Sequence, residues 1–265
     1  MLLRALGLAV PEYAHIALVV GADGAPLSKR TGSRSVQDLR EQGFLPVAIQ
    51  NYLARLGHTY DDNSLLTLDQ LASLFSVTRL HRAPARFDEA QLGYWQKETI
   101  RHTPDEDLWK WMNSQATFGA HVRDFVPAGK EMVFVDAVRG NITSPEEAFV
   151  WAGNLFSSTN RYDKEASVAI KDAGTDFFSK ALVCLDRSGI EFKDYVQKVE
   201  QATNKKGRML FMPLRAALTG EINEDIADKK YAWNHGPDME RIWNLLGISL
   251  VQRRLTEASK LTKPD

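Results

Sequence analysis

Residues 16–35 read IALVVGADGAPLSKRTGSRS and join an aliphatic strand, a tight turn and a cationic loop. Residues 16–20 are aliphatic and partly β-branched, a composition that favours a strand. The Asp23-Gly24 dipeptide tolerates the positive φ angles that a two-residue hairpin turn requires. The stretch therefore predicts a short β-hairpin whose second arm leads into a charged loop.

The loop that follows the turn is rich in cations and hydroxyl groups. Three cations and four hydroxyl side chains lie within eight residues, namely Ser28, Lys29, Arg30, Thr31, Ser33, Arg34 and Ser35. This composition suits a polyphosphate ligand, although the Gly-x-x-x-x-Gly-Lys-Ser/Thr pattern of a Walker loop is absent. The alternative interpretation is a solvated surface loop.

Outward from this loop the chain has the pattern of a mainly α protein. Pro46 and Gly57 bracket one predicted helix. Capping patterns of the Ser/Thr-x-x-Glu/Gln type predict further helix starts at Thr67, Thr103 and Ser144. Amphipathic stretches predict more helices at 175–187, 191–202, 208–219 and 238–258, the last broken at Gly247. We expect a small hairpin-containing region followed by all-α domains, with no strand beyond residue 100.

Composition narrows the class of protein. A chain of 265 residues with 44% hydrophobic and 25% charged residues is typical of a globular protein with two or three small domains. The single cysteine, Cys184, excludes an intramolecular disulfide and argues against a structural metal. There is no run of eighteen apolar residues and no signal sequence, so we expect a cytoplasmic protein without a membrane partner.

The net charge of −1 does not by itself indicate nucleic acid, but two local clusters are basic. They comprise Arg79, His81, Arg82 and Arg86 in the first cluster and Lys205, Lys206 and Arg208 in the second. Each could follow an RNA backbone, because phosphate contacts supply affinity that is independent of sequence. Each could equally be a solvated loop.

Several of these segments together resemble one family. The matching segments are residues 26–30 (PLSKR), 43–46 (GFLP), 51–57 (NYLARLG) and, much later, 213–220 (PLRAALTG). They are similar to the "KMSKS" loop, the helices after it and the anticodon-domain segment of bacterial-type glutamyl-tRNA synthetases, which are class I enzymes. Two departures occur within the loop, where Pro26 replaces the first lysine and Thr31 replaces a common histidine.

The resemblance implies roles for the loop. Lys29 would approach the ATP phosphates and stabilise charge during glutamate activation, with Ser28 and Arg30 beside it and Mg²⁺ as the counterion. The family's "HIGH" signature has no counterpart, because His15 is followed by Ile16 and then by Ala-Leu. We therefore expect the C-terminal tRNA-binding portion of a glutamate–tRNA ligase that is inactive alone and monomeric. A truncated paralogue that only binds RNA and a helical protein-binding scaffold are the alternatives.

The resemblance also implies a domain map. Residues 1–101 would hold the end of the catalytic core and the stem-contact region, and residues 102–164 and 165–265 would form two helical anticodon-binding modules. Glutamate-specific members carry an arginine that reads the third anticodon base, and its position falls on Gly140, or on Arg139 after a shift of one residue. Arg215 lies in the second anticodon segment. With Gly140 there, we expect the parent enzyme to accept the glutamine tRNA as well.

Overall fold

The computed structural model describes residues 2–11, 15–21, 23–27, 35–157, 160–185, 190–221 and 237–262. The chain divides into two compact units, Met1–His102 and Thr103–Asp265. The described residues are mainly helical, as the sequence predicts, and none of their helices is long and apolar enough to cross a membrane. The assignment of residues 102–164 and 165–265 to separate modules stays a prediction.

The first unit contains short helices around a two-stranded sheet. Its elements are α1 (Leu2–Ala5), β1 (Val19–Val20), α2 (Val36–Glu41), α3 (Pro46–Arg55), α4 (Leu68–Leu74), β2 (Ala85–Arg86) and α5 (Glu89–His102). A core cluster that includes Leu39, Tyr52, Leu92 and Trp95 packs α2, α3 and α5 together. The buried Gln96 side chain accepts from the Leu45 amide and donates to the Gly43 carbonyl, so α5 also fixes the turn before α3.

The local helix signals in this unit are confirmed. Pro46 occupies the first turn of α3, and Gly57 follows it at φ +92°, a conformation that favours glycine. Thr67 caps α4 through a complete capping box with Gln70. Because each signal acts within a few residues, the sequence alone was enough to place these helix starts.

The predicted hairpin forms as a short antiparallel bridge, but the sequence did not predict the second partner of its first strand. The turn forms, with Gly24 at φ +78° and one antiparallel bridge between Val20 and Pro26. The ladder of the sheet, however, is parallel and joins β1 to β2, with Val19 opposite Ala85. The antiparallel arms are joined by two backbone hydrogen bonds, from the Gly21 amide to the Ala25 carbonyl at 2.9 Å and from the Leu27 amide to the Val19 carbonyl at 3.3 Å. The partner strand is more than sixty residues away, and no local pattern encodes it.

The second unit is a helical bundle. Its helices are α6 (Asp105–Met112), α7 (Glu131–Val138), α8 (Pro145–Phe156), α9 (Lys164–Val183), α10 (Phe192–Thr203), α11 (Arg208–Thr219), α12 (Met239–Leu246) and α13 (Ile248–Leu261). The described part of this unit contains no strand ladder. Gly247, at φ +75°, separates α12 from α13 as predicted.

In the second unit one predicted helix start is wrong and one helical segment was missed. Helix α6 starts at Asp105 with Pro104 as its N-cap, so the predicted Thr103 cap is wrong. Helix α9 consists of two helical segments, because Gly174 at φ +79° interrupts the helical backbone. The helix predicted from residue 175 begins directly after this break, whereas the segment 164–173 before it was missed. The first ten residues of α9 alternate small, charged and β-branched residues, which weakens the amphipathic signal.

Buried Arg254 joins three helices of this bundle. Its guanidinium group donates to the carbonyls of Leu218, at 2.8 Å, and of Asn154, near the ends of α11 and α8. Burial lowers the pKa of Arg254 to about 10, mainly because the charged form loses hydration. The arginine therefore satisfies carbonyl groups at two helix ends that would otherwise be left without donors.

Candidate nucleic-acid interface

The three residues predicted to face ATP, Ser28, Lys29 and Arg30, lie outside the described residues. The structure does describe both ends of their loop. On one side the Leu27 amide donates to the Val19 carbonyl at 3.3 Å. On the other side Ser35 caps α2: its hydroxyl accepts from the Asp38 amide and its own amide donates to the Asp38 carboxylate at 2.7 Å. These bonds lower the pKa of Asp38.

The first basic cluster places two guanidinium groups in solvent. Arg82 and Arg86 are exposed, and within the described ranges neither side chain has a hydrogen bond or an ion pair. Arg79 differs, because it pairs with Asp61 at 2.7 Å. His81 contacts the Thr59 hydroxyl at 2.6 Å through its Nε2 atom. Arg82 and Arg86 are thus the members best placed to meet phosphates.

The second basic cluster occupies the turn between α10 and α11. Asn204 ends α10 in the left-handed conformation, at φ +55°, and Gly207 precedes α11 at φ +53°. The turn therefore places its cations on one short, sharply bent segment, on which Lys206 and Arg208 are exposed. Lys206 pairs with Glu200 at 2.9 Å, and this hydrogen bond raises the lysine pKa. Arg208 directs Nε to the sulfur of Met212 at 2.6 Å.

Lys205 has a different environment from its neighbours. Its ammonium group donates to the carbonyl of Ala173 at 3.2 Å and lies 5.2 Å from the centre of the Phe177 ring. Ala173 directly precedes the Gly174 kink, where the helical backbone is interrupted. The Lys205 ammonium group is therefore bound to α9 beside the kink, and the Lys205 side chain is only partly exposed to solvent.

The structure places Arg215 in the interior. Arg215 is only 8% exposed, and its guanidinium group donates to the carbonyl of Pro237 at 3.1 Å. Desolvation lowers its pKa. Arg215 is therefore buried against the segment that begins at Pro237, and we leave it out of the RNA contacts proposed below.

The two anticodon candidates, Arg139 and Gly140, have opposite surroundings. Arg139 forms an ion pair with Asp105 and bonds the carbonyl of Thr103, and its side chain is 20% exposed. Gly140 is exposed in the 3₁₀ turn Arg139–Asn141. A Cβ atom added at Gly140 would meet nothing within 4 Å, and its φ is not positive. A side chain at position 140 would therefore fit without strain.

Sequence reasoning missed a groove between α9 and α11. Its lining includes the described residues Lys164, Val168, Met209, Met212 and Pro213, around a cavity of about 370 Å³. The groove lies beside the second basic cluster, since Lys205 and Arg208 are in its wall. A signal was available, because Met209 and Met212 lie one turn apart next to Arg208, but helical spacing of this kind more often marks a core.

No group of three or more His, Cys, Asp or Glu side chains within the described ranges is arranged to hold a metal ion. Cys184 is half-buried and not fully buried as its apolar neighbours suggest. Burial raises the pKa of its thiol. Neither observation indicates a metal site or a reactive thiol, so the cationic surfaces remain the candidate site.

Comparison with known proteins identifies the family. Residues 1–94 match the model of the catalytic domain of class I tRNA synthetases (E and Q). The chain is 46% identical over 255 residues to glutamate–tRNA ligase 2 of Nitrosococcus oceani, covering 96% of this chain and 50% of that protein. It is 41% identical to glutamate–tRNA ligase 1 of Halorhodospira halophila, covering 98% of this chain and 50% of that protein.

A solved structure shares the fold. The glutamate tRNA ligase from Elizabethkingia meningosepticum superimposes with a TM-score of 0.75 at 21% identity, covering 99% of this chain and 54% of that one. The chain thus spans about half the length of the relatives it matches. The chain is therefore homologous to glutamate–tRNA ligases over nearly all of its own length, and the resemblance inferred from its sequence is confirmed.

Proposed function

We propose that the chain is the tRNA-binding portion of a cytoplasmic glutamate–tRNA ligase, which activates glutamate with ATP and transfers it to tRNA. The observation that carries the proposal is 46% identity to a glutamate–tRNA ligase over 96% of the chain. The match of residues 1–94 to a catalytic-domain model supports a contribution to activation as well as to tRNA binding.

In this function the loop 28–30 contributes to activation. Lys29 places a cation where charge develops on the ATP phosphates, and Arg30 and the Ser28 hydroxyl add further donors. ATP is held with Mg²⁺, which shields the phosphate charge. The "HIGH" signature is absent from these 265 residues, so activation needs a nucleotide-binding half that supplies it.

In the RNA-binding role each unit contributes a described basic surface. The first unit offers Arg82 and Arg86, whose guanidinium groups have no protein partner in the described ranges. The second unit offers Lys206 and Arg208 on the turn before α11. Phosphate contacts of this kind give affinity without base specificity, and they release counterions when they form.

Base selectivity is proposed to be relaxed at position 140. Gly140 has no side chain that could bond the third anticodon base, and Arg139 is held by Asp105 and the Thr103 carbonyl. One good base contact supplies about 1–3 kcal/mol of discrimination, and this amount is missing here. The glutamine tRNA is therefore proposed as a second substrate beside the glutamate tRNA.

A catalytically inactive paralogue that only binds RNA is the second candidate. Both candidates require the chain to bind tRNA. Filter binding of a glutamate-tRNA transcript to the 265-residue chain tests this property. Binding with a strong salt dependence supports it, whereas an affinity equal to that of an unrelated acidic protein would exclude both. Glutamylation by the chain joined to a "HIGH"-containing half separates the ligase from the paralogue.

A further inference from the structure

The first 27 residues present apolar side chains to solvent. Within their described part Val20 is the only buried residue. The exposed large apolar side chains of this segment are Leu2, Leu6, Leu8, Val10, Ile16, Leu18 and Leu27. A concentration of exposed apolar side chains within one short segment marks a surface that a partner covers.

Helix α1 forms although none of its residues is buried. Its turn is closed by backbone hydrogen bonds from the Leu6 amide to the Leu2 carbonyl at 3.0 Å and from the Leu8 amide to the Leu3 carbonyl at 2.9 Å. Isolated helices shorter than about 12 residues are marginal in water, so a helix this short is stabilised by packing an apolar face. Leu2 and Leu6 supply such a face, but they are 81% and 70% exposed.

The sheet is covered on only part of one face. β1 and β2 form a parallel ladder, and the Ala85 amide extends it by donating to the Leu18 carbonyl at 2.9 Å. Parallel sheets are buried on both faces, and their strands are therefore continuously aliphatic, as residues 16–20 are. Leu18 and Val20 are two residues apart and share one face of the strand. Val20 is 5% exposed and Leu18 is 58% exposed, so the cover ends between them.

The charge of this segment favours a protein over RNA as its partner. The ionisable side chains in the described part of residues 2–27 are Arg4, His15 and Asp23. The segment thus lacks the several cations that phosphate binding requires. An apolar surface with few charges suits the apolar centre of a protein interface. Residues 1–94 match a catalytic-domain model, and the chain spans half of its relative, so the other half of such a relative is the protein that this surface would meet.

From the exposed leucines, the uncovered helix and the partly covered sheet we infer that this surface binds the half of a glutamate–tRNA ligase that the chain does not match. We further infer that the two halves stay assembled without a covalent link. Leu2, Leu6, Ile16 and Leu18 form the centre of the contact. This inference rests on the proposed ligase function and adds that the ligase can work as two separate polypeptides.

A cleavable fusion tests the inference. The 265-residue chain is joined to the unmatched half of the Nitrosococcus oceani relative through a linker that contains a protease site. After cleavage the two pieces should elute together in size-exclusion chromatography and should still glutamylate tRNA. Separation of the two pieces after cleavage would overturn the inference.

Two leucines of equal exposure provide a matched pair of variants. Leu18 and Leu68 are both 58% exposed, and Leu68 begins α4 in the same unit. Leu18→Glu places a carboxylate in the contact and should weaken the association of the cleaved pieces by about tenfold or more. Leu68→Glu should change it by less than about twofold, as expected for a surface substitution away from the contact. Analytical ultracentrifugation over a dilution series measures both, and equal losses would overturn the inference.

Urea denaturation of the 265-residue chain separates a contact effect from a folding effect. Both variants should keep the midpoint of the unaltered chain, because both leucines face solvent in it. A midpoint lowered by Leu18→Glu alone would show that Leu18 packs within the chain and would overturn its place in the contact.

The outcomes distinguish the contact from the wider function. If the intact fusion glutamylates tRNA but its cleaved pieces separate, the inference fails and the proposed function stands. If the intact fusion does not glutamylate tRNA but its cleaved pieces elute together, the proposed function fails and the contact stands. A dimer of the 265-residue chain that Leu18→Glu dissociates would make a second copy the occupant and would overturn the inference.

Discussion

Arg139 forms an ion pair with Asp105, and the next residue, Gly140, presents only backbone to solvent. The one side chain that could have read an anticodon base after a shift of one residue is therefore engaged within its own unit. The position that the family resemblance assigns to the base reader carries no side chain at all. Under the proposed function, this turn therefore offers no free side chain to read the third anticodon base.

Gly140→Arg should increase selectivity for the glutamate tRNA over the glutamine tRNA. Space is available, because an added Cβ meets nothing within 4 Å. The ratio of the two dissociation constants, measured by filter binding, should widen by about fivefold to a hundredfold, the value of one good base contact. Gly153→Arg is the control for the added charge, since that glycine also has open space around it. An equal change in both variants would show that the cation acts without base reading.

Arg82→Ala and Arg86→Ala should each flatten the salt dependence of tRNA binding. Each lost phosphate contact removes somewhat less than about one unit from the slope of log affinity against log salt. Arg79→Ala is the control within the same cluster and should change the slope less, because Arg79 already pairs with Asp61. Unchanged slopes in both test variants would assign tRNA binding to another surface.

Lys205→Met should destabilise the second unit, whereas Lys206→Met should not measurably do so. Lys205 bonds the Ala173 carbonyl beside the α9 kink and contacts the Phe177 ring, interactions worth about 1–2 kcal/mol together. Lys206 makes only an exposed pair with Glu200. Urea denaturation midpoints compare the two variants, and equal midpoints would contradict the assigned role of Lys205.

Glu221→Gln should stabilise the protein at neutral pH and have little effect in acid. The Glu221 side chain accepts from the Asn154 amide, and burial raises the pKa of this carboxyl group. The folded state therefore binds the proton more tightly than the unfolded state does, so stability from this group is present at low pH and declines as pH rises through the two pKa values. The glutamine side chain of the variant cannot ionise and avoids that decline.

Urea unfolding of both proteins at several pH values measures this effect. The difference in unfolding free energy between Glu221→Gln and the unaltered chain should grow as pH rises from about 4 to 7. A difference that is constant with pH would show that the carboxyl group titrates alike in both states. Titration of the other carboxyl groups cancels in the comparison, because they are the same in both proteins.

The sequence predicted those features whose causes are local. The start of α3 at Pro46, the cap at Thr67 and the break at Gly247 each depend on residues within one turn. The parallel pairing of Val19 with Ala85 was missed because it joins distant segments. Pro104 displaced the expected Thr103 cap by one residue, a choice that the pattern could not decide.

The same distinction applies to the candidate site. The sequence assigned Arg82, Lys205 and Arg215 alike to tRNA binding, but their partners are different. Arg82 faces solvent, Lys205 bonds the Ala173 carbonyl, and Arg215 is buried against Pro237. Those partners belong to other elements of the fold, so only the folded chain could separate surface cations from structural ones. The groove between α9 and α11 was missed because two methionines one turn apart more often mark a core than a surface groove.

Glutamylation of tRNA tests the central claim most directly. The chain would be joined in one polypeptide to the half of the Nitrosococcus oceani relative that this chain does not match, and glutamyl-tRNA formation would be measured for the fusion, for its Lys29→Ala variant and for the chain alone. We predict activity in the fusion only, lowered about a hundredfold or more by Lys29→Ala, which removes a cation that stabilises developing charge. Activity of the chain alone, or a folded, tRNA-binding fusion without any glutamylation, would contradict the assignment.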